Sequence, residues 1–114
     1  MIHPIILYGD PLLKEKSGDI PKNFPKLPEL IDDMFQTMSR ANGVGLAAIQ
    51  IGVPLRIFIV DAHIKEEDFH FRGVFINPYI RRKSAPLVKF SEGCLSIPYI
   101  SAMVERPSKI EIEY

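Results

Sequence analysis

Apolar positions along the chain change their spacing after residue 42, and each spacing predicts a different element. Between Pro28 and Gly43, Leu30, Ile31, Met34, Phe35 and Met38 fall on one stripe of a helix. Pro28 suits a first helical turn, Glu29, Asp32 and Asp33 suit its positive end, and Arg40 suits the negative end. Asn42 and Gly43 tolerate left-handed backbone angles and form a stop signal, so the pattern predicts a helix over 27–41. Ahead of it, residues 1–28 read as an irregular arm, with proline at 4, 11, 21, 25 and 28 and turn chemistry in Tyr8–Pro11. After it, the β-branched and aromatic run Leu55–Asp61, preceded by Gly52 and Pro54, predicts a strand. "IKEEDFHFRG" reads as a charged hairpin or loop, and "VFINPYI" and "LVKF" as short strands broken by Pro78 and Pro86. "KIEIEY" alternates with period two, the pattern of a half-buried antiparallel strand.

These elements predict an α+β fold, with antiparallel sheets packed around helix 27–41 in a single domain spanning 1–114. The sequence stops at Tyr114 inside a strand pattern. One helix leaves much apolar sheet surface to cover, so the expectation is the N-terminal part of a longer architecture. The alternative is a small complete α+β domain with a frayed last strand.

Composition narrows the function. Lys and Arg number 14 and Asp and Glu 14, which argues against a nucleic-acid or membrane-surface partner recruited by bulk charge. The opening "MIHPIILYGDPLL" lacks the pattern of a secretory signal, and no stretch approaches the roughly 20 apolar residues of a membrane span. A single cysteine forms no internal disulfide and fits a reducing compartment, so a cytoplasmic location is expected.

Two segments carry chemistry. In "GVGLAAIQ" (43–50), paired glycines let backbone approach a ligand and Gln50 offers an amide donor; a closely packed turn is the plainer reading. Ala48 stands where a G-x-G-x-x-G pattern needs its third glycine, so a dinucleotide loop is not indicated. In "EGCLS" (92–96), Gly93 permits a sharp turn presenting Cys94, which is open to three readings: buried small residue, nucleophile or metal ligand.

"GVGLAAIQ" followed by "EGCLSIP" resembles the first two signature motifs of the peptide deformylases. "ILYGDPLL", "VFINPYI" and "VERPSKIEIEY" are similar to other segments of that family in the same order, across essentially the whole chain. The resemblance implies removal of the formyl group from N-formylmethionyl nascent peptides by a metal-dependent hydrolase, with transient ribosome association. It implies that Cys94 is one of three protein ligands to a divalent metal, usually Fe2+, with Zn2+ or Ni2+ as alternatives. It further implies that Gln50 and the backbone N–H of Leu95 donate to the developing oxyanion. Val44, Gly45 and Leu46 would bind the substrate, and Glu92 would pair with Arg106 to brace the cysteine loop; a plain surface ion pair is the other reading of those two charges. Ser101 stands where several bacterial members carry arginine.

The family's third motif, a helical H-E-x-x-H supplying the other ligands and the general base, is not in these 114 residues. His3, His63 and His70 have no i, i+4 pairing, and His63 and His70 flank an acidic stretch where solvated side chains are expected. The leading expectation is therefore a deformylase truncated before its metal-binding helix. Two alternatives remain at this point: a catalytically inactive peptide-binding module, and a cysteine hydrolase using Cys94.

Overall fold

The computed structural model describes residues 1–114, apart from the side chain of Ala85. Helix α1 spans Leu27–Arg40. Lys26, at φ 59°, turns the arm into it, and Pro28 lies in the first turn. At the other end Asn42 is left-handed at φ 58°. Gly43 N–H donates to Met38 O at 2.9 Å, closing the helix at the expected stop signal. The predicted stripe faces inward: Met34 and Met38 are buried, and Leu30, Ile31 and Phe35 pack on them. Thr37, not predicted inside, is buried too, and its Oγ1 accepts from His3 N–H at 2.9 Å. Asp33 accepts from the Met1 ammonium at 2.7 Å and lies 2.9 Å from His3 Nε2. Those contacts, the ammonium's hydrogen bond first and His3 second, hold its carboxyl below the usual carboxylate range.

Strands β1 (Gly45–Ala47), β2 (Ile57–Ile64) and β3 (Phe69–Ile76) form an antiparallel sheet in that order. The strand expected over 55–61 is shifted and runs on to Ile64. The charged segment after it is the predicted hairpin, turning at Lys65–Glu67 with Asp68 left-handed at φ 48°. Alternation puts Ile57 and Ile59 inside, against Met34, Met38, Leu46, Ala48 and Ile51.

Strands β4 (Tyr79–Cys94) and β5 (Ile97–Glu113) form a separate two-stranded ribbon. Pro78 interrupts the chain between β3 and β4 as expected, but Pro86 does not break β4. The ladder slips between Ser84 and Leu87, so Pro86 sits in an irregularity that demands no N–H donor. "KIEIEY" is the tail of a 17-residue strand, and its Ile110 is exposed while Ile112 is half-buried. The helix packs on β1 and β2 of the three-stranded sheet. Leu87, Phe90, Ile100, Met103 and Ile110 are exposed on the ribbon.

The N-terminal arm ties these parts together. Ile6 N–H donates to Gln50 O at 2.7 Å and Tyr8 N–H to Ser96 O at 2.8 Å. The Asn77 side chain accepts from Ile20 N–H at 2.7 Å and donates to Ile20 O at 3.0 Å, imitating a strand partner. Because Met34 has no exposed surface and lies between helix and sheet, Met34→Ala should cost about 2–5 kcal/mol. Urea unfolding measures this; a loss below about 1 kcal/mol would mean that the helix is not packed as described.

Candidate active site around Cys94

Cys94 closes β4, Leu95 and Ser96 form the turn, and Ile97 opens β5 opposite Cys94. The next ladder pair is Gly93 with Ser101, so Pro98, Tyr99 and Ile100 loop outward on one strand only. Tyr99 adopts a left-handed backbone at φ 65°. The turn presents the thiol outward: Cys94 is exposed, which removes the buried-core reading. Among the described residues, no histidine or carboxylate lines the cleft that Cys94 faces, which removes support for a Cys–His hydrolase.

Gln50 joins this turn to the other motif. It lies on the short 3-10 turn Ala48–Ile51 that follows β1. Its Oε1 accepts from Ala47 N–H at 3.0 Å. Its Nε2 donates to Ser96 Oγ at 3.1 Å and lies 3.7 Å from Cys94 Sγ. The Ala47 donor fixes which end of the amide is oxygen, so the NH2 must face the cysteine loop. Ser96 is buried, and without Gln50 its hydroxyl would lose this partner.

Between the two motifs lies a cleft of about 860 Å³, walled by Ile5, Asn42, Val44, Leu95, Ile97 and Tyr99 among others. Val44 stands exposed at its rim. Gly45 lies on β1, which is the edge of its sheet. Val44 O accepts from Asp61 N–H at 2.8 Å, so backbone direction alternates and Gly45 turns its N–H and C=O away from β2. Ala47 N–H points the same way and is taken by Gln50, leaving Gly45 as the edge position open to an extended ligand. Leu46 is not a wall of the cleft: the same alternation buries it in the core. Leu95 lies over Gly43, where an added Cβ would fall 2.6 Å from its Cδ1, so a side chain at 43 would displace it. The Leu95 N–H donates to no backbone carbonyl among the described residues.

Glu92 and Arg106 do pair across the ribbon. Arg106 Nε donates to Glu92 Oε2 at 2.9 Å and its NH2 to Oε1 at 2.8 Å, a two-pronged contact just behind the cysteine turn. The guanidinium's hydrogen bonds hold the Glu92 carboxyl below its usual range, and the same contact raises Arg106.

Cys94 is the one thiol in the chain, and among the described residues no cluster of three or more ligating side chains forms. His3 is engaged with Asp33 and His70 with Asp61, both outside the cleft. These residues by themselves therefore do not fit a catalytic metal ion. Ser96 and Ile5 were missed from the sequence. Ser96 sits in the quoted turn, where a serine two residues from the cysteine is in reach of an amide partner. Ile5 enters through the arm, whose path has no periodic signal.

Because the folded-state value of Glu92 is depressed, its pairing stabilises the fold fully above the ordinary glutamate value of 4.5 and is lost as pH falls through the lower folded value. Glu92→Gln should thus flatten the acid side of the stability–pH curve, measured by urea unfolding between about pH 5 and pH 3. An unchanged slope would show the pair contributes nothing.

The polypeptide deformylase family profile matches residues 2–114. A peptide deformylase of Christiangramia forsetii is 50% identical over 125 aligned residues, covering 100% of this chain and 64% of the relative. The chain thus spans just under two thirds of the length of the curated relatives it matches. The crystal structure of the Ehrlichia chaffeensis peptide deformylase superposes with a TM-score of 0.90 at 34% identity, covering 100% of this chain and 68% of that one. A Met-Ala-Ser-bound class I type b peptide deformylase from Acinetobacter baumannii gives 0.88 at 30% identity, covering 100% and 76%. On sequence and on fold alike, the chain belongs to the polypeptide deformylase family.

Proposed function

We propose that the complete protein hydrolyses the formyl group from N-formylmethionyl nascent peptides. The observation that carries this reading is the convergence of Gln50 Nε2, Cys94 Sγ and the Leu95 turn on one apolar cleft, in a chain of this family. In the reaction, water adds to the formyl carbon, the C–N bond breaks, formate leaves and the freed amine takes up a proton. As the carbonyl oxygen gains charge, the Gln50 amide and the Leu95 N–H donate to it; both are held before substrate arrives, so little reorganisation is needed. The open edge of β1 at Gly45 pairs with the backbone of the extended substrate, and Val44 contacts the methionine side chain, with Leu46 supporting the strand from the core.

Cys94 is read as one ligand of a divalent metal, ferrous iron foremost, with zinc and nickel as alternatives; thiolate sulfur suits each. Its other ligands and the group that takes the proton from water are not among these residues. A bound Met-Ala-Ser tripeptide in the Acinetobacter baumannii relative supports a peptide ligand for the same cleft. Among the described residues, no helix is long and apolar enough to cross a membrane. Action on nascent chains in the cytoplasm, with transient ribosome association, follows from the substrate proposed.

Formate release from formyl-Met-Ala-Ser by the full-length protein tests the reading. Gln50→Ala should lower kcat roughly 10²–10³-fold while KM changes little. Turnover in that variant within about twofold of the parent, or peptide binding with no formate release by the parent, overturns it.

A further inference from the structure

Outside the cleft, the β2–β3 hairpin gathers four polar side chains that the proposed reaction does not use. Asp61 and His63 on β2 stand opposite Arg72 and His70 on β3, and the period of two places all four on one face. The His63 and His70 ring centroids lie 5.3 Å apart with planes inclined at 39°.

Backbone hydrogen bonding fixes what kind of pair this is. Asn77 N–H donates to Arg56 O at 2.8 Å, which makes 56 and 77 a bonded pair in the β2–β3 register. Bonded and non-bonded pairs alternate along an antiparallel ladder, so His63 and His70 are a non-bonded pair, the type whose side chains stand closest. The Asp61 N–H, which points to β1 instead, agrees with that alternation.

We infer that His63 and His70 form a two-imidazole site for a divalent transition-metal ion of the zinc, nickel and copper class on the face of this hairpin. Two imidazoles sharing a tetrahedral ion at about 2.0–2.1 Å per nitrogen have ring centroids about 5 Å apart, close to the observed spacing. His70 Nε2 is 2.7 Å from Asp61 Oδ1; the carboxylate accepts from the Nε2–H, which leaves the Nδ1 lone pair for an ion. A carboxylate behind a ligating imidazole fixes its tautomer and raises its basicity. His63 has no hydrogen-bond partner among the described residues, and both rings are exposed, so water can complete the coordination. Arg72 is the opposing charge on this face. It is drawn off by Asp61 Oδ2 at 3.4 Å and lies over the Phe35 ring at 3.8 Å. With two protein ligands and no cluster of three among the described residues, the site holds an exchangeable ion, not a structural one. A consequence is that metal analysis of the complete protein in excess zinc counts one ion per chain beyond any at Cys94.

The test is a zinc titration of the protein with Cys94 alkylated, followed by the imidazole 15N resonances and by calorimetry. Zinc should shift the His70 Nδ1 resonance and one His63 nitrogen, with His3 unmoved. His63→Gln, at an exposed and unpartnered position, should fold normally and lose this binding, and His70→Gln should do the same. Asp61→Asn should bind at least about tenfold more weakly. Resonance shifts confined to His3, affinity unchanged in His63→Gln, or no binding by the parent protein at millimolar zinc would each overturn the inference.

Discussion

The side-chain amide of Gln50 is the contact on which the site depends. Its oxygen is anchored to β1 through Ala47 N–H, and its nitrogen reaches Ser96 Oγ and Cys94 Sγ on the far ribbon. The two ends differ in how firmly they are held. Ala48 and Ile51 beside Gln50 are buried in the core, whereas the ribbon carrying Cys94 leaves most of its apolar side chains exposed. The tip of that ribbon is located by Gln50, by Tyr8 N–H on Ser96 O, and by Leu95 resting over Gly43. A buried serine hydroxyl stripped of its partner costs about 1–3 kcal/mol, so the bridge also guards the fold at this point.

One strand of three residues separates structural and chemical roles by alternation alone. Leu46 enters the core, while Gly45 and Ala47 turn their backbone groups to the cleft side, and Gln50 takes the one at Ala47. On the ribbon, the Glu92–Arg106 pair stiffens the hairpin just behind Cys94 without entering the cleft. Among the described residues, the cleft holds no titratable side chain besides the thiol and Tyr99, so its chemistry is that of oriented donors and one sulfur.

Helix α1 was legible because its stripe, its Pro28 and its Asn42–Gly43 stop all agree, and the structure places it within one residue of the predicted end. The sheet was less so. Pro86 looks like a strand breaker in sequence, yet a slipped ladder accommodates it, and no local pattern announces a slip. The cleft residues Gln50 and Cys94 could be picked out as motifs, but their meeting depends on contacts across 44 positions that periodicity does not encode. Leu46 shows the limit of motif reading: it sits in the signature, but strand alternation sends it into the core. His63 and His70 look unrelated at a spacing of seven until the hairpin register sets them face to face.

A double-mutant cycle between Gln50 and Ser96 tests most directly whether this bridge joins the two motifs. Unfolding free energies of Gln50→Ala, Ser96→Ala and the double variant should reveal a coupling of about 0.5–1.5 kcal/mol. Additivity within about 0.3 kcal/mol would mean that the amide does not hold the cysteine turn in place, and the account of the site would be wrong.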